Sequence, residues 1–280
     1  MGRRNLRGLG ALVTGASGGI GAALARELAA SGMRLLLTAR RAPQLAELTE
    51  EIRHQGGQAE WLAGDLTEAA FRARLVAHAA ATLGGLDVLV NNAGAGRWGS
   101  FESGSEAQLR AILELNFVAP VELTRLALPL LKSAPEGLIV NIGSVLGHRA
   151  VPYKSEYCAA KFALHGWSDA LRAELSREAI SQLSDDSGAN NNLRAGQGSV
   201  AVLLVSPSTT ATEFFERTGE ERRAAAMAPA EVARRTRRAM ETGRQEIILS
   251  WGGKLLVWLD RLCPPLMNRL LARYAPRPRA

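Results

Sequence analysis

A doubly wound α/β fold, a parallel sheet with helices on both faces, follows from three features of the sequence. Short apolar runs alternate with longer stretches of helical periodicity up to about residue 250. The runs are continuously apolar rather than alternating, which is the pattern of strands covered on both faces. A glycine-rich loop, "TGASGGIG" at 14–21, joins the first run to the first helical stretch, the place where open α/β sheets bind ligands. At 280 residues, 47% hydrophobic and 22% charged, the chain can bury a sizeable core. Residues 1–250 read as a single domain and residues 251–280 as a helical tail.

The elements follow in order. "GALVTG" is the first strand, and the glycines after it open a helix over about 20–30. "RLLLTA" precedes a helix around 42–55, and "AEWLAGD" precedes one around 69–82. "LDVLVNNAG" leads to a helix around 106–131, and "GLIVNIGS" to a helix that contains Tyr157 and runs to about residue 180. "SVAVLLVSP" and the short "QEIILS" complete the strands. Between helix and strand, "SQLSDDSGANNNLRAGQG" at 181–198 is polar and has too little apolar surface to pack, so a flexible loop is expected there.

Composition narrows the function. Residues 1–216 carry a net charge of −1 and residues 217–280 a net charge of +8. The basic excess therefore lies in the C-terminal part, which weakens a nucleic-acid reading, since that wants a basic face on the main body. The two cysteines, Cys158 and Cys263, are too far apart in sequence to read as a disulfide framework or a zinc site, and both read as packing thiols. His54, His78, His148 and His165 show no metal spacing, so no metal is expected. Arg3, Arg4 and Arg7 precede an apolar run that breaks into glycines too soon for a signal core. No apolar stretch reaches the ~18 residues of a membrane span. A cytoplasmic location is expected.

The glycine loop has a chemical reading. Its glycines allow a tight turn and let backbone N–H groups approach a pyrophosphate at a helix N-terminus, where the dipole favours negative charge. The spacing Gly15-x-x-x-Gly19-x-Gly21, with Asp65 after the third strand, "NNAG" at 91–94, Asn116 in "ELNF", Ser144 after the fifth strand and Tyr157-x-x-x-Lys161, resembles the short-chain dehydrogenase/reductase family. The motifs occur in the family's order over about 200 residues. The resemblance implies a Rossmann-like fold and an oxidoreductase using a nicotinamide dinucleotide. It also implies a homodimer or homotetramer and a small-molecule substrate. Gly15, Ser17, Gly19, Ile20, Gly21, Asp65, Leu66, Asn92, Ala93, Gly94, Tyr157, Lys161 and Thr210 would then contact the cofactor.

The end of the second strand, "LLLTARR", bears on which dinucleotide binds. An acidic residue there accepts hydrogen bonds from a free ribose hydroxyl, whereas arginine accommodates a 2′-phosphate. Position 39, where NAD-preferring relatives usually carry Asp, is Ala, and Arg40 and Arg41 follow. A planar guanidinium suits a phosphate, which favours NADP(H) over NAD(H), although Gly18 stands where many NADP-preferring relatives carry a second basic residue.

Tyr157 and Lys161 are four residues apart on a helix and so share one face. A phenol of pKa ~10 is a poor base at neutral pH, and a nearby ammonium would favour its phenolate. Tyr157 is the expected general acid in carbonyl reduction and the base in alcohol oxidation. Ser144 should emerge at the carboxyl edge of the sheet and donate to the substrate oxygen. By resemblance, Lys161 also bonds the nicotinamide ribose and Asn116 holds a relay water. His148 reads as a loop residue that could touch substrate.

"PSTTATEFFERTGEERR" resembles the family's PGxxxT segment, with Ser208 for glycine and Thr212 at the threonine position. By resemblance, residues 208–228 form a substrate lid to which Phe214 and Phe215 would lend apolar contact. In the tail, Pro264–Pro265 divides two short amphipathic helices: Leu255, Trp258 and Leu262 share one face, and Leu266, Leu270 and Tyr274 another. Flanking arginines suit peripheral contact with anionic membrane. Packing on the protein's own domain or on a partner subunit is the other reading. An apolar tail near the lid also fits a lipophilic substrate of steroid, retinoid or fatty-acyl type. Two further functions share parts of the pattern: a non-catalytic dinucleotide sensor or scaffold, and a sugar-nucleotide epimerase or dehydratase.

Overall fold

A computed structural model describes residues 4–185, 198–211 and 226–274. Seven strands form one sheet: β1 (Gly10–Thr14), β2 (Arg34–Ala39), β3 (Gln58–Ala63), β4 (Val88–Asn91), β5 (Glu136–Ile142), β6 (Ser199–Ser206) and β7 (Glu246–Ile248). Their order is β3-β2-β1-β4-β5-β6-β7, and every neighbouring pair is parallel. The order reverses between β1 and β4, which opens a crevice at their carboxyl ends.

Alternate residues of each strand feed two cores. Leu12 of β1 and Leu36 of β2 pack with Phe71, Leu75, Leu123 and Leu131. Val13, Leu35 and Leu37 pack on the other face with Leu24, Leu28, Leu45 and Ile52. The helices that cover the sheet are α1 (Gly19–Ala30), α2 (Ala42–His54), α3 (Ala69–Leu83), α4 (Glu106–Leu113), α5 (Ala119–Ser133), α6 (Ser155–Asp185) and α7 (Pro229–Glu241). Each fully buried Leu or Phe contributes roughly 1.5–3 kcal/mol of transfer free energy. The central strands are buried on both faces, and their continuous apolar runs follow from that.

Three expectations are corrected. The helix anticipated over 106–131 is interrupted by a π turn at Glu114–Val118, between α4 and α5. α6 continues to Asp185, into the segment expected to begin a loop at 181, and 186–197 lie outside the described residues. Cys158 is buried as expected, but Cys263 is exposed where the tail bends.

The tail forms α8 (Trp251–Leu262) and α9 (Pro264–Tyr274). Ser250 caps α8 by accepting from the Gly253 N–H at 2.9 Å. Val257 and Met267 are buried, and Arg149, from the loop after β5, forms an ion pair with Asp260 at 2.8 Å. These contacts hold the pair against the catalytic side of the sheet.

Gly21 is where α1 meets the sheet most closely. A Cβ there would lie 2.2 Å from the Gly15 carbonyl oxygen and 2.5 Å from Nδ2 of Asn92. Overpacking of this kind costs about 1–3 kcal/mol, so Gly21→Ala is expected to lower the urea midpoint of unfolding by a corresponding amount. An unchanged midpoint would show that the loop yields freely.

Candidate active site

One cleft of about 810 Å³ runs along the carboxyl ends of the strands. Arg40, Arg41, Asp65 and Leu66 line one end, the glycine loop and Asn92, Ala93 and Gly94 the middle, and Asn116, Ser144, Tyr157 and Lys161 the other end. Ser17, Gly19, Ile20 and Thr210 line it too, so sequence motifs far apart in the chain are brought to one cleft. Gly21 is the exception among the residues expected to contact the cofactor. It faces the Gly15 carbonyl instead of the cleft and serves the close packing of α1 on β1.

The glycine loop is held from below. Thr14 Oγ1 donates to the Val90 carbonyl at 3.0 Å and accepts the N–H groups of Asn92 at 2.9 Å and Ala93 at 3.0 Å. Nδ2 of Asn92 donates to the carbonyls of Thr14 at 2.9 Å and Gly15 at 3.3 Å. The amide of Asn92 is thus spent on shaping the loop. Gly15 has φ +67°, and a Cβ on it would lie 2.8 Å from Ala93 Cα, so only glycine fits. Asn91 pairs with Thr124 at 3.0 Å and Asn141 at 2.9 Å inside the sheet. It is structural.

At the far end, Asp65 accepts from the Thr67 N–H at 2.9 Å and hydroxyl at 2.8 Å, and these bonds hold its carboxyl below the usual range. Arg40 is mostly exposed, with Nη1 3.9 Å from Asp65. Arg41 is tied to the glycine loop, donating to Ser17 Oγ at 3.2 Å and Ser17 O at 2.8 Å. The cradle of backbone amides beside two guanidiniums fits a pyrophosphate and an anionic ribose substituent. A dinucleotide is the group whose length and charges match this lining.

At the other end Lys161 is buried and Tyr157, one turn away, is partly buried on the cleft wall, with Lys161 Nζ 5.7 Å from the Tyr157 ring centroid. Burial pushes the phenol well above its ordinary value, and a hydrogen bond with Ser144 pulls it partly back. Lys161 was expected to tune the phenol downward. Instead desolvation dominates both groups, and it lowers Lys161 itself to about 8. The ammonium donates to the Ile142 carbonyl at 2.8 Å. Ser144 follows β5, and its Oγ accepts from the Leu146 N–H at 3.1 Å.

Asn116 lies in the π turn. A π turn shifts backbone bonding by one residue, and Asn116 Nδ2 donates to the Ile112 carbonyl at 2.8 Å and the Ala95 carbonyl at 2.7 Å. Its Oδ1 is buried with no hydrogen-bond partner among the described residues. Two fixed bonds thus orient a buried acceptor in the cleft wall.

Several residues at the site were missed by the sequence reading. His165 lies eight residues after Tyr157, on the same stripe of α6, and its Nε2 accepts from the Ser144 N–H at 3.4 Å. Cβ atoms on Gly143 and Gly147 would come within 2.3 and 2.5 Å of its ring, so the turn carrying Ser144 is moulded on the imidazole. Burial lowers His165 to about 3, which keeps it neutral. The i, i+4, i+8 spacing was the available signal. His148 packs edge-on against His165 and pairs with Ser206 at 3.1 Å and Glu246 at 3.0 Å. It does not line the cleft, contrary to the substrate reading. Tyr153, before α6, adopts φ +67°, and its carbonyl accepts from the Gly99 N–H at 3.0 Å.

Leu256, Leu270, Leu271 and Tyr274 of the tail close the catalytic end together with Trp98, Leu146, Val151 and Pro152. Ser208 and Thr209 line the cleft, and Thr210 bridges to Met227. Thr212, Phe214, Phe215 and most of the expected lid lie outside the described residues.

The family model for short chain dehydrogenases matches residues 10–183, the part of the chain that carries the glycine loop, Ser144, Tyr157 and Lys161. The chain belongs to the short-chain dehydrogenase family. It is 29% identical to the uncharacterized oxidoreductase YxnA of Bacillus subtilis, over 95% of this chain and 74% of that protein. It is 30% identical to a hydroxysteroid 11-beta-dehydrogenase 1-like protein A of Xenopus laevis, over 98% of this chain and 89% of that one. Among solved structures, a metagenomic short-chain oxidoreductase in complex with NADP superposes with a TM-score of 0.70 at 31% identity, covering 88% of this chain and 98% of the other. This short-chain dehydrogenase is an NAD(P)-dependent oxidoreductase.

The cost of burying Lys161 sets a pH dependence. Its native pKa is about 8, against 10.5 when unfolded. Below pH 8 the native state carries the full cost of a buried ammonium. Between 8 and 10.5 the unfolded chain binds a proton the native state lacks, so stability rises with pH. The shift corresponds to on the order of 3 kcal/mol, less about 1 kcal/mol for the lost bond to Ile142. Lys161→Met is therefore expected to be more stable than the parent by roughly 2 kcal/mol at pH 7, with the gap closing by about pH 10. Chemical denaturation across that range checks it, and a destabilised variant at pH 7 would contradict it.

Proposed function

We propose that this short-chain dehydrogenase interconverts a carbonyl and a secondary alcohol with NADP(H), on a lipophilic substrate of steroid, retinoid or fatty-acyl type. The observation that carries the reading is the Tyr157 phenol on the cleft wall, hydrogen-bonded with Ser144 and one turn from the buried Lys161, in the cleft that the glycine loop also lines. The neutral phenol carries the proton that a carbonyl oxygen must receive in reduction, and the same group takes a proton back in oxidation. The dinucleotide, when bound, supplies the hydride for reduction or accepts it in oxidation.

The chain's own groups do the rest. Ser144 donates to the carbonyl oxygen and steadies its developing charge. Tyr157 gives its proton to the same oxygen. Lys161, with a pKa of about 8, is close enough to neutrality to restore that proton. The buried Oδ1 of Asn116 is an acceptor suited to orienting a relay water beside it. Arg40 and Arg41, with Ala39 in place of an acid, support NADP(H). The apolar wall of Trp98, Val151, Leu256, Leu270 and Leu271 supports a lipophilic substrate, as does likeness to the hydroxysteroid dehydrogenase-like relative. Exposed Leu109, Leu126 and Phe162 on α4, α5 and α6 offer apolar surface for a homodimer or homotetramer.

Cofactor absorbance, followed with lipophilic ketones and small polar sugars, tests the reading. Tyr157→Phe is expected to lose about 10²–10⁴ in kcat, the usual contribution of a positioned acid. Full activity in that variant, or better turnover of the sugars, would sink the proposal. Arg40→Ala is expected to raise KM for NADPH about tenfold, the value of a charge-assisted contact, and to leave KM for NADH nearly unchanged. Equal effects on the two cofactors would remove Arg40 from 2′-phosphate recognition.

A further inference from the structure

The tail that closes the cleft has a second face. On α8, Trp251, Trp258 and Leu262 are exposed at 84%, 58% and 63%, and on α9 Leu266, Leu270 and Tyr274 are also exposed. Globular proteins rarely leave so many large apolar side chains contiguous in water. Leu270 and Tyr274 both line the cleft and reach the surface, so they form its rim. The apolar face and the mouth of the cleft are therefore continuous.

The charges around this face are of one sign. Residues 251–274 carry Lys254, Arg261, Arg269 and Arg273, and one acid, Asp260. Asp260 is partly buried and engaged with Arg149, so it does not offset them. Lys254 stacks on Trp251 with Nζ 4.9 Å from the ring centroid, and Arg273 lies 5.6 Å from that of Tyr274.

We propose that α8 and α9 seat this dehydrogenase on an anionic bilayer surface, with the cleft mouth opening at the lipid so that an apolar substrate enters from the membrane. The face joins tryptophans and leucines to a surround of Lys and Arg, the combination that holds an interfacial helix at a headgroup layer. A second copy is disfavoured as the occupant, because a twofold contact through this face would set basic residues against basic residues with no acid between them. No helix among the described residues is long and apolar enough to cross a membrane. The contact is therefore with the surface. The entry route rests on the lipophilic-substrate reading, whereas the docking does not.

Co-sedimentation of the full chain with phosphatidylcholine vesicles, with and without phosphatidylglycerol, tests docking without substrate or cofactor. Binding to the phosphatidylglycerol vesicles is expected, and both high salt and the surface variants Trp258→Glu and Arg261→Glu should weaken it about tenfold or more. Circular dichroism and turnover of a short water-soluble ketone should be unchanged in these variants, since neither side chain lines the cleft. Turnover of a long-chain ketone loaded in vesicles should fall with binding. No pelleting with either vesicle would overturn the proposal, as would equal binding by the variants. A dimer in solution that Trp258→Glu dissociates would assign the face to a second copy. If vesicles bind but no lipophilic ketone turns over, the substrate reading fails and the docking stands.

Discussion

The structure depends on how closely the first glycine loop approaches the strand beside it. Thr14, Gly15 and Gly21 meet Asn92 and Ala93 across the point where strand order reverses, and side chains are excluded from the contact. Asn92 Nδ2 donates to the Thr14 and Gly15 carbonyls, and Thr14 Oγ1 ties the loop back to β4. The backbone that the glycine loop offers a phosphate is held in place by these few bonds. The residues that look like ligand contacts in the motif are in part the scaffold that makes the contacts available.

Desolvation governs the opposite end. Tyr157, Lys161 and His165 form one stripe of α6, Lys161 and His165 buried and Tyr157 partly so, and desolvation pushes each toward its neutral form. The consequences differ because the roles differ. A neutral phenol can donate, an amine lowered to about 8 can exchange a proton near physiological pH, and a neutral imidazole can accept the N–H that orients Ser144. Stability is given up at this stripe, and chemistry is what the fold gains from it.

The tail unites two functions of apolar surface. Its inner side closes the catalytic end with leucines, and its outer side stays uncovered. Arg149 links the tail to the loop after β5, which ties the wall of the cleft to the turn that follows Ser144.

Most of the architecture was legible in the chain itself. Continuous apolar strands, the glycine loop and the Tyr157-x-x-x-Lys161 spacing are local patterns, set by burial on two faces, by backbone sterics and by the pitch of a helix. The π turn at Asn116 was not legible, because a one-residue shift in backbone bonding leaves the helical periodicity nearly intact. Nor was the part played by His165, whose contacts with Gly143, Ser144 and Gly147 come from a distant loop. The order of motifs along the chain determined the family and the reaction class. Only the tertiary structure decided that Lys161 is buried beside Tyr157, and that the tail reaches the cleft. Both depend on surfaces brought together from remote segments, and burial is a property of that assembly, not of any stretch of sequence.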